Sequence, residues 1–300
     1  MFDLVVVGHL AIDSILSPET VVPRHVLGGP PTYVSMAARK LDAKVSVISK
    51  VGEDFPEDYV GWLKVNGIDL SGLKIVKNVS TTRFVLTYEG EERQLQLTSR
   101  ASPITPEDIP DSLESRAIHI SPIANELSAS VVDKLRTFAE TLSLDPQGFM
   151  RRFDENGTVF PKDWKDNRIL EQVDICKSSL DEIKMVTGLT NLRLAMERIR
   201  DYGVKTVIAT MGMKGSAMLH EEKICSIPAC APRALLDPTG AGDAFTGAFL
   251  AEYVKEKDPV WCMCVGSAMA SFVVEGVGPR IFGEKKEVYE RASEIYEKDV

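Results

Sequence analysis

Residues 237–243 read Asp-Pro-Thr-Gly-Ala-Gly-Asp and run straight into Ala-Phe-Thr-Gly-Ala-Phe-Leu, a helical pattern. Two glycines two apart at a helix start, with a carboxylate in the first turn, suit chemistry on an anion. The first amides of a helix have no intrahelical acceptor and face the positive end of its dipole, so they attract negative charge. Gly240 and Gly242 let the backbone approach that charge without a Cβ in the way. A carboxylate at Asp243, among amides that hold a phosphate, is placed to take a proton from an attacking hydroxyl. Read alone, Asp243 is an ordinary acidic residue in a first helical turn, and a lone Gly-x-Gly is weak evidence. The seven residues together favour phosphate chemistry.

The seven-residue signature resembles the carboxyl-terminal motif of the ribokinase-like, or PfkB, family of carbohydrate and nucleoside kinases. The resemblance implies that Gly240, Ala241 and Gly242 supply the amides of an anion hole and that Asp243 is the catalytic base. It implies that Asp237 helps to shape a monovalent-cation site, for an ion such as potassium. The donor it implies is ATP with magnesium, although ADP would use the same anion hole.

Other segments extend the resemblance. Val-Gly-His-Leu-Ala-Ile-Asp (7–13) puts Asp13 just beyond the first predicted strand, at the sheet edge where ligands of open α/β sheets gather. It would accept substrate hydroxyls there, or simply terminate the strand. Gly28-Gly29 matches the family's first glycine motif, with Pro30-Pro31 stiffening the hinge. Thr32 and Tyr33 stand where many members carry asparagine. Arg100, after the hairpin described below, points into the site or lies on the surface. Asp145-Pro-Gln-Gly-Phe-Met-Arg-Arg has Gln147 in place of the family's usual asparagine. Together with Arg-Ala-Ser-Pro-Ile (100–104), this wording is similar to the archaeal myo-inositol kinase branch. Ser179-Leu-Asp-Glu182 occupies the place of the Asn-x-x-Glu motif, which implies that Glu182 positions magnesium through water. Lys177 reaches a phosphate or ends its strand in solvent. Thr210-Met-Gly-Met-Lys-Gly215 matches the nucleotide turn Thr-x-Gly-x-x-Gly, so Thr210, Gly212 and Gly215 would contact phosphates, though the segment also suits a plain hairpin turn. Val273–Gly278 is similar to the border of the adenine pocket and cation site.

These residues must be carried by alternating strands and helices. Apolar strands are expected at 3–8, 44–50, 117–121, 141–145, 173–176, 204–210 and 216–219. Helices are expected at 32–41, 128–139, 180–187, 191–202, 241–255, 259–274 and 284–298. The alternation predicts an α/β fold with a doubly wound, mainly parallel sheet flanked by helices. Thr82–Thr98 breaks the pattern with two alternating runs about Gly90, placing Phe84, Leu86 and Tyr88 on one face and Leu95 and Leu97 on the return. That hairpin either edges the main sheet or, as the resemblance implies, belongs to a small inserted β lid. The expected organisation is one ribokinase-like domain over 1–300, with lid elements near 14–30 and 80–100.

Three hundred residues, 44% of them hydrophobic, suffice for such a core. A net charge of −9 argues against nucleic acid as a partner but not against a nucleotide bound locally. No apolar run approaches a membrane span and the first residues lack the pattern of a signal peptide, so a cytoplasmic location is expected. Five cysteines without paired spacing suggest reduced thiols. The leading function is phosphorylation of a hydroxyl on a small polyol, sugar or nucleoside, with myo-inositol the first choice. Sugar phosphates stay open, because Arg100 or Arg152 would recognise an existing phosphate. A silent sugar- or nucleotide-binding regulator is the alternative from another class. A dehydrogenase is disfavoured, since the first strand is not followed by Gly-x-Gly-x-x-Gly. A homodimer through the lid is a further expectation from the resemblance.

Overall fold

The computed structural model describes residues 1–16, 23–89, 92–164 and 167–299. Strands β1 (Phe2–Val7), β2 (Ala11–Leu16) and β3 (Arg24–Gly28) precede helix α1 (Pro30–Lys40). Next come β4 (Val45–Gly52), α2 (Glu57–Val65), β5 (Ile68–Val76), β6 (Thr82–Glu89) and β7 (Glu92–Ser99). The middle of the chain gives β8 (Ser115–Ile120), α3 (Ala129–Arg136), β9 (Ala139–Leu144), β10 (Arg151–Phe153) and β11 (Val159–Pro161). It continues through β12 (Ile175–Ser179), α4 (Leu180–Thr187), α5 (Leu192–Arg200), β13 (Thr206–Thr210), β14 (Ser216–His220) and β15 (Lys223–Ile227). Helices α6 (Ala241–Tyr253), α7 (Pro259–Val273) and α8 (Lys285–Asp299) complete the chain.

The large sheet runs β15-β14-β13-β12-β9-β8-β1-β4-β5. It is parallel from β13 to β5 and antiparallel at the β14 and β15 edge. Successive residues of a strand face opposite sides, and β1 uses both. Leu4 and Val6 pack into the core shared with α1, α6, α7 and α8, while Val5 and Val7 pack into the core under α3, α4 and α5. A strand buried on both faces needs a continuous apolar run, which is why Leu4–Val7 is one. Helix α7 is buried on nearly every side, between α6 and α8. Its start is fixed by Asp258, whose carboxylate accepts from the Val260 and Trp261 amides at 3.0 Å each.

A second sheet, in the order β3-β2-β6-β7, stands apart from the first. Strand β2 is antiparallel to β3 and parallel to β6, and β6 is antiparallel to β7. The hairpin therefore belongs to a separate small sheet, not to the edge of the large one. Phe84 pairs with Leu97 and Leu86 with Leu95, and the four form one apolar cluster with Ala11 and Ile123. Residues 17–22 of the expected lid, Gly90 and the side chain of Tyr88 lie outside the described residues. Helix α2 and strands β5, β10, β11 and β15 were not foreseen. Strand β5 is an edge strand interrupted by Gly72 and mostly half-exposed, so its apolar alternation is too weak to read. Among the described residues, no helix is long and apolar enough to cross a membrane.

Candidate active site

Helix α6 begins where the sequence places its anion site. Gly240 caps it at φ 80°, a left-handed conformation that favours glycine, and a Cβ there would stand 2.2 Å from the Tyr33 ring. The Ala241 amide donates to the Pro238 carbonyl at 3.2 Å, so one of the three expected amides is engaged in the turn. Helix geometry leaves Gly242 and Asp243, at the second and third helical positions, without upstream helical acceptors.

Against this helix start lies Lys177, from the end of β12. It is buried, not a solvated strand end. Its Nζ donates to Asp145 Oδ2 at 2.8 Å and lies 2.8 Å from where a Cβ on Gly242 would be. Burial alone would lower its pKa, but Asp145, Asp243 and Glu182 outweigh burial and hold the ammonium charged. Burial pushes the Asp243 carboxyl up to about 7, with Lys177 pulling the other way. A carboxyl in that range is half-ionised near neutrality, as suits a general base.

Ser179 and Glu182 explain each other. The Ser179 hydroxyl accepts from the Glu182 amide at 3.3 Å, and Glu182 Oε2 accepts from the Ser179 amide at 2.8 Å. This is a capping box at the start of α4, a role for which serine is a better choice than most residues. Burial, followed by the charge of Asp145, raises the Glu182 carboxyl.

Asp13 is not at the end of β1. It sits inside β2, paired with Val26 on one side and Phe84 on the other, and is 6% exposed. Gly28 makes room for it, since a Cβ there would stand 2.0 Å from Asp13 Oδ2. The crossing from β1 to β2 is tied down by His9. Its amide donates to Glu126 Oε1 (3.1 Å), and its ring joins the Ser102 carbonyl (3.1 Å) to the Thr82 hydroxyl (2.8 Å). Those partners bind the base of the small sheet to the large one at three chain crossings. Burial lowers the pKa of His9, which favours the neutral ring this network uses.

Two cavities meet at the α6 start. One, of about 330 Å³, is bordered by Asp13, Gly29, Gln147, Lys177, Glu182 and Asp243. Its far wall is the apolar face of the small sheet, Phe84, Leu86 and Leu95, with Ile123. The other, of about 320 Å³, is bordered by Gly212, Gly215 and Ala241 and by mostly apolar side chains such as Phe245 and Val274. Thr210, Pro238 and Gly242 border both. The Thr210–Gly215 segment is both things expected of it, a turn between antiparallel strands and a wall of the second cavity.

Three expected site residues border neither cavity. Gly28 lies against the Asp13 carboxylate. Arg100 is exposed, and its Nη1 donates to the Ala124 carbonyl at 3.0 Å. Asp237 is buried, with Oδ1 accepting from the Thr239 amide at 2.9 Å. Its amide and that of Leu236 reach the Val274 carbonyl, so 273–278 runs beside the signature loop. Arg152 is exposed and lies over the Phe160 ring at 5.1 Å.

Arg151 was the residue missed. It borders the first cavity, and its guanidinium donates to Gln147 Oε1 at 2.8 Å and to the Ile123 carbonyl at 3.0 Å. Its only local signal was its place four residues after Gln147, past a turn whose direction spacing does not give. Tyr33 and Asp145 border the same cavity. Among the described residues, no three His, Cys, Asp or Glu side chains group as a metal cage.

The chain matches pfkB family carbohydrate kinases over residues 1–286. The cytidine kinase of Thermococcus kodakarensis is 28% identical to it over 291 residues, 93% of this chain and 98% of that protein. Inositol 3-kinase of Arabidopsis thaliana is 26% identical over 282 residues, 92% of this chain and 74% of that one. A pyrophosphate-dependent kinase of the ribokinase family, solved with a pyrophosphate analog and myo-inositol, superposes with a TM-score of 0.83 at 25% identity. That superposition covers 96% of this chain and 99% of the other. The two-cavity α/β architecture, its separate small sheet and these matches agree: the chain belongs to the pfkB family of carbohydrate kinases, phosphotransferases with a hydroxyl acceptor.

Proposed function

We propose that the chain transfers the terminal phosphoryl group of ATP to a hydroxyl of a small, uncharged polyol or sugar. One observation carries this reading. Asp243 and Lys177 border a carboxylate-lined cavity beside Gly242, which that cavity shares with an apolar one. Phosphoryl transfer asks mainly for positioning and for charge opposite the transferring group. The amides of Gly242 and Asp243, with the Lys177 ammonium, offer that charge at the junction. Asp243 takes the proton of the acceptor hydroxyl as the new O–P bond forms.

The acceptor side argues for a neutral molecule. Asp13, Asp145, Glu182 and Asp243 border it, against two cations, Lys177 and Arg151. Lys177 is bound to Asp145 and Arg151 to Gln147 and a carbonyl. A phosphate brought into this cavity would meet surplus carboxylates, and Arg100 and Arg152 are turned elsewhere. That disfavours the sugar-phosphate alternative. Carboxylates and an amide suit neighbouring hydroxyls, to which they make strong, directional bonds. Myo-inositol, bound by a structural neighbour, is our first choice. A nucleoside is the second reading, supported by the apolar wall of Phe84, Leu86, Leu95 and Ile123, against which a base would pack.

Magnesium bound with the donor would offset the charge of its phosphates. The carboxylates of Glu182 and Asp145 are hard oxygen donors that suit it through water, and a cage of three protein ligands is not required of an ion that keeps its waters. Asp237, buried beside the 274 backbone, is the residue we assign to shaping a potassium site.

The test is a panel of myo-inositol, pentoses, hexoses, nucleosides and their monophosphates, mixed with MgATP or MgADP and followed by ³¹P NMR. A phosphomonoester on a neutral acceptor is expected. Turnover confined to already phosphorylated acceptors would sink the neutral-acceptor reading. Nucleotide binding without turnover on any acceptor would favour the silent regulator.

A further inference from the structure

A buried carboxylate that the chemistry does not use stands behind the wall of the acceptor cavity. Glu126, in the bend after β8, is 1% exposed. Its side chain accepts from three backbone amides. Oε1 takes those of His9 at 3.1 Å and Ile123 at 3.0 Å, and Oε2 those of Ile123 at 3.0 Å and Ala124 at 2.7 Å. The bend closes this tightly because Asn125 takes the left-handed conformation at φ 56°, which asparagine tolerates better than most residues. Successive amides wrapped round one anion form a nest, and the anion settles which way their peptides face.

The consequence reaches Arg151. With the 123 and 124 amides turned to Glu126, the Ile123 carbonyl accepts from Arg151 Nη1 at 3.0 Å. Asn125 Nδ2 donates to the Arg151 carbonyl at 2.9 Å, so the same bend grips that residue by its backbone too. Arg151 Nη2 in turn donates to Gln147 Oε1 at 2.8 Å. With its oxygen engaged, the Gln147 amide has its NH₂ end left for the cavity that both residues border. A donor fixed there complements the neighbouring carboxylates, which only accept when ionised.

We infer that Glu126 is a positioning residue for the acceptor: through the 123–125 bend it fixes Arg151, and through Arg151 the donor end of Gln147. The inference rests on the proposed kinase function and deepens its acceptor side. A carboxylate that borders neither cavity thereby sets acceptor affinity.

The experiment is a double-mutant cycle of Glu126→Gln and Arg151→Met, run with MgATP and the acceptor that turns over best in the panel above. Each single change should raise acceptor KM by about 10–10²-fold, since a small misplacement at a distance can cost that much. The value of kcat should stay within about threefold, and calorimetric Kd for the β,γ-imido analogue of ATP should hold. The double variant should match Arg151→Met within about threefold, because residues of one network are not additive. A loss of fold alone would instead lower kcat through the active fraction and multiply with Arg151→Met. Multiplying effects overturn the inference. So does an Arg151→Met variant with unchanged acceptor KM, whatever becomes of Glu126→Gln. Should Glu126→Gln fail to fold, Asn125→Ala, which strains the same bend from an exposed position, replaces it in the cycle under the same criteria. A crystal structure of the folded variant is the second arm. It should show the Arg151 bond to Ile123 or to Gln147 broken, and both bonds intact would overturn the inference. If no acceptor turns over, the kinase reading fails, and that structure alone decides whether Glu126 holds Arg151 and Gln147.

Discussion

The two cavities that meet at the α6 start are nearly equal in volume and opposite in chemistry. The proposed acceptor side is bordered by four carboxyls, two cations and an amide, several of them bonded to one another. The proposed donor side is apolar, its hydroxyls mostly turned back onto backbone carbonyls. The difference is one of discrimination. A buried carboxylate left without its hydroxyl partner costs the full desolvation of a charged group, so a wrong acceptor is strongly rejected. An apolar wall loses only a few contacts to a poor fit. Selectivity should be steep for the acceptor and shallow for the donor.

The largest predicted effect falls beside the shared wall, at Asp243. Asp243→Asn should lower kcat by about 10²–10⁴-fold whichever acceptor is used, because general-base catalysis contributes about that much. Donor Kd, read by calorimetry, should change little. Near wild-type turnover would remove Asp243 from the chemistry.

Next come changes confined to the acceptor side. Asp13→Asn removes charge-assisted bonds worth about 1.5–3 kcal/mol each, so acceptor kcat/KM should fall by about 10²-fold if one or two are lost. Gly28→Ala should act in the same direction, since its Cβ would stand 2.0 Å from Asp13 Oδ2. Donor affinity should hold in both variants. A matching loss of donor affinity would mean that the cavities are not independent.

A pH profile sharpens the role of the wall. Asp243 must be ionised to accept a proton, and burial holds its carboxyl up at about 7. The acceptor kcat/KM should therefore fall as pH drops through about 7. The residual activity of Asp243→Asn should lack that limb. An unchanged limb in the variant would assign it to another group.

The smallest effect is on stability. The folded pKa of Asp243 lies above that of an unfolded aspartate. The folded state therefore holds its proton more tightly, and stability is lost as pH rises from about 4 through 7. Asp243→Asn should unfold a few degrees higher at pH 8, roughly 2–4 °C per kcal/mol gained, and the advantage should vanish near pH 4. Scanning calorimetry at the two pH values would show it. No gain at pH 8 would mean that the carboxyl is better solvated than its surroundings suggest.

How much of this was legible depended on locality. The α6 start is a contiguous motif, and the buried parallel strands announce themselves as unbroken apolar runs such as Leu4–Val7. The partly exposed β5 and the short α2 have no such run and were missed. Lys177 and Arg151 stand next to solvent-compatible neighbours in sequence. Lys177 is buried and Arg151 half-buried against Asp145, Gln147 and Ile123, brought close only by the fold. Asp13 was placed just beyond the first strand because nothing local announces β2 as part of a second sheet. Arg100 was drawn to the site by its neighbours in the chain, yet it bonds Ala124.

The most direct test measures both sides of one preparation together. Using the best acceptor, kcat/KM is determined for the four nucleoside triphosphates, and then, with MgATP fixed, for that acceptor and each of its monodeoxy analogues. The donors should span no more than about tenfold, while loss of the hydroxyl bound at Asp13 should cost about 10³-fold or more. Deoxy analogues that all turn over within tenfold of the parent, beside a donor series spread over 10³-fold, would contradict the division of labour between the two cavities.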